Sequence, residues 1–135
     1  MPVKNKDNVV IEKVLNVEED RLKYRVEYIR ENLVQLSKKL RELVPKDLTD
    51  QDLTQDNTLK QWVIVNSIYD ASMKDESHDG FNRMLYFLFD KAKGNIIRLV
   101  NSFDINIKLN GAGQLEDMSL IVLETETHES ESNDG

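Results

Sequence analysis

Between Leu22 and Leu43 an aliphatic residue recurs at alternating steps of four and three: Leu22, Val26, Ile29, Leu33, Leu36, Leu40 and Leu43. Residues so spaced share one side of an α-helix, so the pattern predicts a helix from about Val17 to Val44. Written as heptads, Val26, Leu33 and Leu40 take a positions and Leu22, Ile29, Leu36 and Leu43 take d positions. Three heptads is the shortest run that suggests coiled-coil-like packing. Pro45 should end the helix, because proline lacks an amide donor and disfavours helical dihedrals in the residue before it. Upstream, "VVIEKVL" (Val9 to Leu15) is short and β-branched. Residues 9–15 read either as a strand or as an early part of the following helix; in the extended reading residues 1–16 form an N-terminal segment, with Asn16 capping the helix and Glu18, Glu19 and Asp20 favouring its positive end.

The pattern then changes. "PKDLTDQDLTQDN" is a polar connector in which Leu48 and Leu53 stand out. A second helix is predicted over about 58–73, capped by Asn57 or Thr58, with apolar residues nearly all round it. "KDESHDG" reads as a turn in which Ser77 or Asp79 caps the next helix. That third helix is predicted over about 80–103, with Phe81, Leu85, Leu88, Ala92, Ile96, Leu99 and Phe103 on one face and Gly94 tolerated within it. After Phe103 the period becomes two. "DINIKLN" and "MSLIVLETE" predict strands at about 104–110 and 118–125, joined through Asn110-Gly111 as a hairpin. The acidic, aromatic-free end, 126–135, reads as a disordered tail.

The expected fold is thus mainly α: two long helices, one shorter apolar helix, a small C-terminal β-hairpin and coiled-coil-like packing, with residues 17–124 as core. Helices of about 40 and 35 Å would not fit inside a particle about 30 Å across. Apolar surface would remain uncovered, and a homo-oligomer would hide it. Leu22, Val26, Ile29, Leu33, Leu36, Leu40, Leu43, Leu85, Leu88, Ile96 and Leu99 are the expected helix or oligomer interface. The flanking positions Lys23, Arg25, Arg30, Asn32, Ser37, Lys39 and Val44 carry no acidic residue, so a parallel self-pairing along this stripe would set like charges together.

Composition narrows the chemistry. With 32% charged residues, 39% hydrophobic residues and a net charge of −7, the chain suits a soluble globular protein without a global basic field. It has no cysteine, which removes disulfides, thiolate nucleophiles and cysteine metal sites, and fits an intracellular, cytoplasmic setting. No apolar run approaches the roughly 18–20 residues that span a bilayer, and no signal peptide is expected. Residues 1–45 are net +2 and residues 46–135 net −9. No catalytic residue, cofactor site or metal site is expected. His78 stands in a turn and His128 in the tail; the loop from Asp50 fails a calcium loop at Gln55 and Gln61; "NGAG" reads as a turn.

The expected function is non-enzymatic: an oligomer-forming assembly or adaptor protein acting through helix–helix contacts, with the acidic tail free for a protein partner. A second reading is nucleic-acid association, with Lys23, Arg25, Arg30, Lys38, Lys39 and Arg41 as candidate phosphate contacts. In shape alone, helices followed by a short β element resemble the small subunits of viral DNA-packaging terminases, and that resemblance implies a ring protein of viral type. A third reading is an acidic inhibitor of a nucleic-acid-binding protein.

Overall fold

The computed structural model describes residues 2–78 and 80–123, with side chains from Glu19 onward. The chain is mainly helical, with a two-stranded antiparallel sheet at its C-terminal end. The first helix, α1 (Pro2–Leu43), is 42 residues long and so spans about 63 Å. Of the two readings of residues 9–15, strand or early helix, the helical one is found. No glycine or proline interrupts the chain from Val3 to Val44, and a β-branched residue costs only up to about 0.7 kcal/mol against alanine in a helix. Pro2 stands at the helix start, where its missing amide is harmless.

α1 ends as expected ahead of Pro45, its last buried residue is Leu40, and the next buried residue, Val44, follows the helix end. Leu43 is 69% exposed, while Val44 is 6% exposed. A short 3₁₀ turn (Asp50–Thr54) comes next. Its Leu53 joins Val44 and Leu59 in a small apolar cluster, with Leu48, Trp62 and Val63 against it.

The second helix, α2 (Asn57–Lys74), is capped by Asp56, whose Oδ1 accepts the Leu59 amide at 2.9 Å, one residue before the predicted caps. The expected third helix is two. α3 (Phe81–Lys91) stops where Lys93 and Gly94 take φ of 57° and 72°, and the Gly94 amide donates to the Phe89 carbonyl at 2.9 Å. That is a left-handed helix stop, a conformation glycine adopts without steric cost. Asn95 then opens α4 (Ile96–Val100) by accepting the Arg98 amide at 3.0 Å. Gly94 is therefore a terminator, not a tolerated helical residue.

The hairpin pairs β1 (Phe103–Leu109) with β2 (Leu115–Val122), β2 beginning three residues before its expected start. The Asn110 side chain accepts the Ala112 and Gln114 amides and shapes the turn. In the register Ile105 faces Leu120 and Ile107 faces Met118, so the apolar residues of both strands share one side. The β1 end of that side is buried with the helices: Phe103 is 3% and Ile105 5% exposed, whereas Met118 is 37%. The main core gathers Ile29, Leu33 and Leu36 of α1, Val65 and Ile68 of α2, Leu85 and Phe89 of α3, and Leu99 of α4. The 126–135 tail lies outside the described residues.

Candidate functional surfaces

The heptad stripe of α1 faces the chain's own core. Leu22, Val26, Ile29, Leu33, Leu36 and Leu40 are all at most 9% exposed, and Leu43 alone of the seven turns outward. Leu85 and Leu99 are fully buried with them, and Leu88 and Ile96 pack against the same cluster. The expectation of two long rods also fails at α3, which at 11 residues reaches only about 17 Å. α2 and the short helices cover the stripe without a second molecule.

The six candidate phosphate contacts divide. Arg30 is a clip between helices: its Nε donates to Ser72 Oγ at 3.1 Å and its Nη2 to the Ser72 carbonyl at 2.7 Å. Arg25 reaches Asp90 at 3.5 Å and lies 4.7 Å from the Phe89 ring centroid. Arg41 lies over the Trp62 ring at 5.4 Å and donates to the Val44 carbonyl. Lys23, Lys38 and Lys39 are not buried, but Glu27, Glu31 and Glu42 are exposed on the same helix. The structure thus brings no basic cluster together along the described part of α1, and the local field is mixed.

Where α1, α2 and α3 meet, the sequence showed no signal, yet the structure builds a polar junction. Ser72 and Asn82 are fully buried. Asn82 Nδ2 donates to the carbonyls of Ser72 (2.9 Å) and Asp75 (3.0 Å), and Ser72 Oγ donates to the Tyr69 carbonyl. Asp75 closes the α2–α3 turn: its Oδ2 accepts the amides of Asn82 (2.8 Å) and Gly80 (3.2 Å), and its Oδ1 accepts the Ser77 hydroxyl. Asp75 is thus the side chain that holds the start of α3; Ser77 donates to it, and the other expected cap, Asp79, lies outside the described residues. The Asn82 amide, more than any other group, holds the Asp75 carboxyl below its ordinary value of 3.8; partial desolvation opposes this, and Ser77, Gly80 and the nearby His78 assist it.

The remaining features lie at the surface. Tyr24 (73% exposed) and Tyr28 (50%) stand on α1 away from the core stripe, and Phe87 (57%) stands on α3. Tyr28 also leans on Phe89, with centroids 6.0 Å apart. A cleft of about 280 Å³ runs between Arg21 and Leu22 of α1 and Arg83, Tyr86, Phe87 and Asp90 of α3. A second cleft, about 250 Å³, lies over Trp62 between Arg41, Val44, Leu48 and Leu53. Among the described residues no three His, Asp or Glu side chains are placed to hold a metal ion, and no helix is long and apolar enough to cross a membrane. Asp50 and Asp52 of the 3₁₀ turn serve backbone instead: Asp50 accepts the Leu115 amide at 2.7 Å and Asp52 the Thr49 amide at 2.7 Å. On these grounds the chain is a mainly helical protein with a small antiparallel sheet. No family model matches it, and no curated protein or solved structure matches it either.

Proposed function

We propose that this chain is a non-catalytic assembly subunit that forms a homo-oligomer through helix–helix contacts of α1. The supporting observation is the exposed aromatic side of α1. Tyr24 is 73% exposed and Tyr28 50%, on a helix of 42 residues whose other side is committed to the core. Aromatic residues carry large contact area at low conformational cost, and they are enriched where proteins meet. A 42-residue helix also far outruns its partners: α2, with 18 residues, is about 27 Å long.

The nucleic-acid reading finds less support. Three of its six basic residues, Arg25, Arg30 and Arg41, are engaged within the chain. The tail that would serve a protein partner lies outside the described residues.

Light scattering tests the reading. The wild-type chain should give a mass at least twice 15.7 kDa at micromolar concentration. Tyr24→Glu should lower that mass with unchanged circular dichroism, because Tyr24 is open to solvent and lies off the core stripe. A wild-type particle that stays monomeric as concentration rises removes the proposal.

A further inference from the structure

The helix from Pro2 onward puts Tyr24 and Tyr28 in a series that a shorter helix would hide. Counting back in sevens from Tyr24 meets Val17, Val10 and Val3. Counting back in sevens from Tyr28 meets Arg21, Val14 and Asp7. At 3.6 residues per turn these positions share one side of α1, roughly a third of a turn from the Leu22–Leu40 stripe. α1 thus carries two stripes. One is filled by the chain's own helices; the described members of the other, Tyr24, Tyr28 and Arg21, are all exposed.

We infer that the second stripe is the seam of an antiparallel α1–α1 pair between two copies of this chain, centred between Val14 and Val17. The inference rests on the assembly reading above and adds to it the surface, the partner and the direction. Charge decides the direction. In a parallel pair each layer meets its own copy, so position Asp7 would be set against Asp7 and Arg21 against Arg21. In the antiparallel register Asp7 comes opposite Tyr24, Val10 opposite Arg21 and Val14 opposite Val17 of the other copy. Positions bordering the seam on one side are Lys6, Lys13, Asp20 and Glu27. Antiparallel pairing sets Lys6 against Glu27 and Lys13 against Asp20, and the twofold axis repeats both pairs. On the other border Lys4 comes opposite Arg25, whose guanidinium is already turned to Asp90.

The antiparallel register lays the start of the second α1 beside Tyr24 and Tyr28, next to the exposed Phe87 of α3.

A charge-exchange series on the full chain, read by sedimentation equilibrium, tests this. Lys13→Glu places Glu against Asp20 and should weaken the dimer by about ten-fold. Adding Asp20→Lys restores opposite charge in the antiparallel pair, and the double variant should return to within about three-fold of wild type. In a parallel pair residue 13 neighbours Glu18 and residue 20 neighbours Arg25, so the double variant would be weaker than the single one. Lys6→Glu with Glu27→Lys is an independent second exchange; Glu27 is exposed, so folding is not at stake. Restoration in both exchanges supports the inference. A dimer that persists but is weakened further by the Lys13/Asp20 double variant overturns the antiparallel direction. A dimer indifferent to all four substitutions overturns the seam and leaves oligomerisation standing. A monomeric wild type overturns the assembly reading as well.

Discussion

Arg30 and Asp75 show how single side chains hold the three-helix junction. Arg30 offers two donors in a fixed fork, one to the Ser72 hydroxyl and one to its carbonyl, across 42 residues of sequence. Its replacement by Lys keeps the charge and loses the fork. Asp75 acts by accepting backbone amides at the start of α3. Because these contacts favour the ionised carboxylate, its folded pKa lies below 3.8. A depressed carboxyl pKa contributes stability that is present above the unfolded pKa and lost as pH falls through the folded one. Asp75→Asn should therefore lower the urea midpoint at pH 7. The gap from wild type should narrow as pH falls below 3.8 and on through the lower folded pKa, beneath which the wild-type carboxyl is protonated in the folded state too. A gap that stays constant down to pH 2 would show that the ionised form gives no advantage there.

At the scale of elements, the stripe of α1 was legible because burial on one side of a helix imposes its period directly on the sequence. The hairpin was legible for the same reason, through the alternation from Ile105 to Leu109. What the stripe packs against was not legible. An a/d series looks the same whether its cover comes from the same chain or another. The structure puts Leu33 at 0% exposure among Val65, Ile68, Leu85 and Phe89. Leu33→Ala should then cost about 2–5 kcal/mol in chemical denaturation, with oligomer mass unchanged until the fold fails. Dissociation into well-folded monomers would instead place Leu33 between chains. One boundary was left open and another was misread, both for physical reasons. "VVIEKVL" has strand-like composition, but local preference is weak against continuation of a helix that nothing interrupts. "KGN" in residues 93–95 did carry a signal, a glycine stop followed by an asparagine cap, but the apolar period runs straight across it. The polar junction left no trace, since Ser72, Asp75 and Asn82 converge only after α2 and α3 have folded back on each other.

At the scale of the whole molecule, the proposed assembly rests on a side of α1 about a third of a turn from the one its leucines first suggested. Their stripe looked too long to hide within a chain of 135 residues. Splitting the third helix at Gly94 lets α3 and α4 join α2 against that stripe, while the hairpin packs on α2. What remains outward is the length of α1 itself. A compact chain of this size has a radius of gyration of about 14 Å, while one 42-residue helix is about 63 Å long. That length makes continuity through Asn16 the property on which the second stripe depends. If the helix broke there, Val3, Val10 and Val14 would leave the line of Tyr24 and Tyr28, and the seam would have no geometry. The chain has no cysteine, so thiols introduced at Lys4 and Lys38 would be its only two and would accept spin labels cleanly. They lie 34 residues apart in sequence, which at 1.5 Å per residue is about 51 Å along an unbroken helix. Pulsed electron–electron resonance, with labelled chains diluted into unlabelled ones to isolate distances within a chain, should give a narrow distribution near that value. A break at Asn16 would give a shorter and broader one. That outcome would remove the seam even if the particle is a dimer, because two copies would then have to meet elsewhere, for instance through β2, where Leu115 is 40% and Met118 37% exposed.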